Sequence, residues 1–142
     1  MKLFLTAIIF ICTFSSAWAN DELLIENAWV REGPPRATVL AGYLTIKNTS
    51  ATPYTLIEVS SPQFDLVEMH ESYEKGGMAR MRQLSTLSIP ANGELKLAPN
   101  GYHLMLMDPN QRIRAGMTVD LILKFDSLKP IQISAPVVRK VD

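Results

Sequence analysis

The stretch "YHLMLMD", residues 102–108, alternates with a period of two: His103, Met105 and Met107 fall on one side, Leu104 and Leu106 on the other. Successive side chains of a β-strand point to opposite faces, whereas a helix gathers residues three and four apart. The reading is a strand whose leucines enter a core while a histidine and two methionines stand together on the reverse face. Similar segments, set apart by turn residues, recur along the chain. "LLIENAWVR" (23–31) stops at Gly33-Pro34-Pro35, "TVLAGYLTIKN" (38–48) at Asn48-Thr49-Ser50, and "YTLIEVS" (54–60) lies between Pro53 and Ser61-Pro62. "FDLVEMHE" (64–71) leads into a loop through Gly76-Gly77, from which "MARMRQL" (78–84) returns. A polar stretch and a tight turn at Ala91-Asn92-Gly93 precede "ELKLA" (94–98), and "TVDLILKF" (118–125) and "IQISAPVV" (131–138) complete the set. No window sustains helical periodicity. The expected fold class is all-β, a single antiparallel β-sandwich of about eight or nine strands.

The N-terminus has a different character. In "MKLFLTAIIFICTFSSAWAN" (1–20), Lys2 precedes an apolar run from Leu3 to Phe14, and Ala17-Trp18-Ala19 forms a small-x-small cleavage site. Residues 1–19 are therefore expected to be a cleaved signal peptide, with residues 20–142 as one domain in the periplasm. A membrane span needs about 20 apolar residues, and Ser15-Ser16 interrupts this run earlier. The bulky Phe10-Ile11 before Cys12 argues against a lipid-modified cysteine.

Cleavage would remove Cys12, the only cysteine of the chain. The remaining domain could then form no disulfide and offer no thiolate as nucleophile, zinc ligand or blue-copper ligand. With 14 basic and 14 acidic residues overall, a near-neutral surface gives no electrostatic reason to expect nucleic acid as a partner.

The chemistry lies in the histidines, of which the chain has two. On a strand His103 and Met105 stand about 6.6 Å apart, two rises of about 3.3 Å, close enough to converge on one ion. Taken alone, that segment reads equally well as methionines filling a core. The second histidine shifts the balance. His70 ends "FDLVEMH", and Met81 returns after the Gly-Gly loop, so both histidines sit in methionine-bearing strands. Thioether sulfur is a soft, neutral donor that favours Cu(I), and imidazole suits copper as well. Zinc would need Glu68, Glu71 or Asp108 recruited beside the histidines. Calcium and magnesium want clustered oxygens, and no such cluster appears.

The spacing His70-x10-Met81-x21-His103-x-Met105 resembles that of the periplasmic copper chaperones called PCu(A)C. Further similar stretches are "AWVR" (28–31), "AGYLTIKN" (41–48), "EMHE" (68–71), "GGMARM" (76–81), "HLMLM" (103–107) and "APVV" (135–138). The resemblance implies a cupredoxin-like β-sandwich and one Cu(I) per chain, bound by His70, Met81, His103 and Met105 at one exposed end. It also implies copper delivery to the CuA centre of cytochrome c oxidase subunit II, often together with a Sco-type thiol protein. Some relatives add a His/Met-rich C-terminal tail, whereas this chain stops at "VVRKVD". A monomer without membrane insertion after signal cleavage is expected.

Other functions are set against this. A periplasmic copper- or zinc-binding protein for storage or resistance would need the same residues without an oxidase target. No Ser-His-Asp grouping on a nucleophile elbow and no His-Glu-x-x-His occurs, so no catalysis is expected. Asp65, Glu68 and Glu71 read as exposed carboxylates. Trp29 reads as a packing aromatic, and Arg80 and Arg82 as solvated strand positions. Met69 should face away from His70, Met78 is a reserve thioether, and Met117 reads as packing.

Overall fold

The computed structural model describes residues 22–139, and the expected signal peptide at 1–19 lies outside the described residues. Ten strands follow in chain order: β1 (Leu23–Arg31), β2 (Val39–Asn48), β3 (Tyr54–Ser60), β4 (Phe64–Lys75), β5 (Met78–Leu84), β6 (Leu87–Ile89), β7 (Glu94–Leu97), β8 (Tyr102–Pro109), β9 (Thr118–Phe125) and β10 (Ile131–Val138). No helix occurs among the described residues. The strands are ordered β5-β4-β8-β7-β2-β1-β10-β9-β3-β6. One half, from β5 to β1, joins the other, from β10 to β6, through the β1–β10 pairing.

The two halves share one core. Val30, Leu44, Ile46, Leu104 and Leu106 from the first half join Leu56, Ile89, Val119, Leu121 and Leu123 from the second. Burying one such side chain contributes about 1.5–3 kcal/mol. The pairing is antiparallel as expected except at two short ladders, where β1 runs parallel to β10 and β7 parallel to β8.

Two elements depart from the expected strands. The stretch read as polar after residue 84 contains β6, in which Leu87 and Ile89 enter the core while Ser88 stays out. The other change is in β4, which continues to Lys75 instead of stopping near residue 71. Gly76 and Gly77 both have positive φ (62° and 74°), the backbone of a two-residue hairpin turn whose twist matches that of its strands. With so short a connection, β4 and β5 pair up to Lys75↔Met78. His70 therefore lies within a strand, not at its end.

Gly42 sets how closely β2 lies on β8. A Cβ there would come within 2.9 Å of Leu106 Cδ1 and 3.5 Å of Leu104 Cβ. Its absence lets the two leucines seat at full burial, which fixes the histidine-bearing face of β8 as the outer one.

Candidate metal centre

The register of β4 and β8 places His70 opposite His103, Glu68 opposite Met105, and Leu66 opposite Met107. That of β4 and β5 places Gln83 opposite His70 and Met81 opposite Ser72. Directly paired residues share a face, so His70, Met81, His103 and Met105 all lie on the outer face of three adjacent strands. His70 stands at the centre: it faces His103 and is one diagonal step from both Met105 and Met81. Diagonal neighbours lie about 7–8 Å apart, within reach of long side chains. The two methionines flank the histidine pair from opposite directions along the strands.

The rings of His70 and His103 have centroids 5.9 Å apart and are tilted by 38°. An ion about 2 Å from a nitrogen of each ring would stand about 3 Å from each ring centre, so this spacing suits a shared ion. His103 is buried. Its Nδ1 lies 3.0 Å from the Gly101 carbonyl oxygen, which can only accept, so Nδ1–H donates and Nε2 keeps its lone pair. Tyr43, one step along β2 from the Gly42↔Leu104 pair, is on the same face and packs against Trp29, ring centroids 4.5 Å apart. Burial pushes the Tyr43 phenol up, partly offset by the nearby Arg31.

His70 Nε2 lies 2.8 Å from Glu68 Oε2. Its Nδ1 is buried and has no hydrogen-bond partner among the described residues. Glu68 is thus not the exposed carboxylate expected from the sequence: its side chain retains 21% of its accessibility and is engaged with the histidine two residues on. The signal was the i, i+2 spacing itself, which puts the two side chains on one face. Glu71 is likewise only 21% accessible, and it receives Arg82 through Nη2 at 2.6 Å and Nε at 2.7 Å. That pair lies on the reverse face, where the Arg82 guanidinium also stands 5.4 Å from the centre of the Tyr73 ring. It ties β5 to β4 behind Met81.

The remaining methionines sort by register. Met69 points into the core opposite Leu104, and Met78 pairs with Lys75 on the reverse face. Met107 shares the face of Met105, one step further from the histidines. Met117 packs against the core, and its sulfur accepts the Arg114 N–H. Met81 itself is 52% exposed on a strand solvated along almost its whole length.

Among the described residues no group of three or more His, Cys, Asp or Glu side chains is placed to hold a metal. Of the three carboxylates a zinc site could recruit, Glu71 and Asp108 fall on the opposite face from the histidines by strand alternation, and only Glu68 shares it. On that face two imidazoles oppose each other across β4 and β8, and Met105 and Met81 each stand one diagonal step from His70.

Residues 23–137 match the family described as "Putative lipoprotein LpqE-like". The curated relative "Putative lipoprotein Lxx21020" of Leifsonia xyli subsp. xyli is 29% identical over 118 residues, covering 82% of this chain and 70% of that protein. Among solved structures, the Cu(I) form of DR1885 from Deinococcus radiodurans superposes with a TM-score of 0.70 at 30% identity, covering 90% of this chain and 85% of that one. The copper-bound PCuAC domain of PmoF2 superposes with a TM-score of 0.70 at 23% identity, covering 84% of this chain and 94% of that one, a likeness of fold. The cupredoxin-like sandwich expected from the resemblance is thus the fold observed. The chain belongs to the LpqE-like family, and its fold is that of solved PCuAC domains.

Proposed function

We propose that the protein is a periplasmic copper chaperone that binds one Cu(I) through His70, Met81, His103 and Met105. The observation that carries the reading is the His70–His103 pair, which offers a free ring nitrogen on each side next to thioethers on the same face. Two imidazoles and two thioethers form a neutral set, and such a set matches a monovalent ion without leaving a large uncompensated charge in a partly buried site. Neutral ligands also release an ion more readily than thiolates would, which suits a carrier. Relatives described as lipoproteins support export, in line with the signal-like residues 1–19.

The recipient follows from the family resemblance: the CuA centre of cytochrome c oxidase subunit II, with a Sco-type thiol protein as the second participant. The chaperone acts by binding and handing over, with no bond chemistry on a substrate.

Titration with Cu(I) under reducing conditions against a chromophoric chelator should give one copper per chain. Mixing the loaded protein with the apo CuA domain of subunit II should then move copper to that domain. One-to-one binding without transfer, alone or with the Sco-type protein, would favour the alternative of storage or resistance. Absence of Cu(I) binding would overturn the reading.

A further inference from the structure

The ligand histidines differ in the partners that hold them, and the difference has a chemical consequence. His103 gives its Nδ1–H to the backbone carbonyl of Gly101, in the bend that leads into β8. His70 instead has a carboxylate at Nε2 and an orphaned, buried Nδ1. An ionised carboxylate accepts only, so a neutral His70 beside Glu68 carries its proton on Nε2 and its lone pair on Nδ1. An imidazole that ligates a metal commonly donates its other N–H to a carboxylate or carbonyl, which fixes the ring and raises its basicity. Glu68 occupies that position relative to His70. The strand alternation that put Glu68 on the face of His70 also sets it opposite Met105, so one residue contacts the histidine and borders the thioether.

We propose that Glu68 is a positioning residue: it holds His70 in the Nε2–H tautomer, so that His70 donates to the metal through Nδ1 while His103 donates through Nε2. The proposal rests on the copper reading above. It adds a residue outside the four-ligand pattern and predicts that the two histidines bind through different ring atoms. Glu71, three residues along β4 and therefore on the reverse face, is committed to Arg82 and has no part in it.

The test uses protein labelled with 15N at histidine. In the metal-free form, ring 15N shifts should show His70 protonated at Nε2 and His103 at Nδ1. Silver(I), a spin-active probe for the Cu(I) site, should then give one-bond coupling to His70 Nδ1 and His103 Nε2. Glu68→Ala should mix the His70 tautomers and weaken Cu(I) binding by about 10–100-fold. Glu68→Gln, which keeps an acceptor oxygen, should restore much of both, and Glu71→Ala should change neither. Coupling to His70 Nε2 would overturn this proposal and leave the copper site standing. Coupling to neither histidine would bring down the site as well. Unchanged affinity and tautomer in Glu68→Ala would show that the carboxylate positions nothing, and the metal-free wild-type spectrum decides the tautomer even if that variant fails to fold.

Discussion

His70 and His103 are opposite partners in the β4–β8 ladder, and their ring centroids lie 5.9 Å apart. The main chain, not a flexible loop, sets this distance. Its consequences can be measured one at a time.

The histidines have no substitutes, since the chain holds two. Met105 has Met107 on its own face, whereas Met81 has none on β5 because Met78 faces the other way. Loss of Cu(I) affinity should therefore follow the order His103→Ala or His70→Ala first, Met81→Ala next, Met105→Ala least. Steps of about tenfold between these groups would correspond to about 1.4 kcal/mol each. Chelator competition on the four variants checks the order, and Met105→Ala weaker than Met81→Ala would reverse the assignment of stand-ins.

Leu104 and Leu106 anchor the histidine-bearing strand from below. Leu104→Ala should cost about 2–5 kcal/mol of folding stability, and overpacking by Gly42→Ala about 1–3 kcal/mol. Denaturant unfolding measures both. A neutral Gly42→Ala would mean that Leu106 has room to move away from the 2.9 Å contact.

Folding should not need the metal, because the two halves share a core built mainly of leucine, isoleucine and valine. Circular dichroism of the metal-free protein should show a folded β-sheet chain. Cu(I) in hundredfold excess over its dissociation constant should add about 2.7 kcal/mol. A metal-free chain without structure would contradict this.

Away from the centre, Glu32 joins two separate segments. Its carboxylate accepts Arg139 Nε at 2.6 Å and the Ala115 N–H at 3.2 Å. The hydrogen bond from Arg139, then that from Ala115, holds its pKa below the usual carboxylate value. A carboxyl with a lower pKa in the folded state stabilises above its ordinary pKa, and that contribution is lost as pH falls through the lowered value. Glu32→Gln should therefore melt below the wild type at neutral pH and together with it in acid. An equal gap at both pH values would mean that charge plays no part.

Much of this was legible in the sequence for a definite reason. Alternation in "YHLMLMD" assigned Leu104 and Leu106 to the core and the His/Met residues to the outer face, and the structure buries both leucines fully. β6 escaped notice because three residues are too few to show a period. The end of β4 escaped because Ser72 to Lys75 lie on a ribbon with little burial on either side, so no apolar alternation marks them. Met81 stood out in the sequence as a candidate soft donor. Its diagonal placement beside His70 depended on the register that the Gly76-Gly77 turn imposes, which composition does not reveal. Glu68 was hidden by its type, since a glutamate on a strand normally belongs to solvent.

The proposed site surrounds one copper ion with a mixed imidazole and thioether shell. X-ray absorption on the Cu(I)-loaded protein tests it most directly. Nitrogen and sulfur scatterers should appear together, with the sulfur contribution reduced in Met81→Ala; a shell of nitrogen and oxygen alone, or an unchanged spectrum in that variant, would rule out that shell.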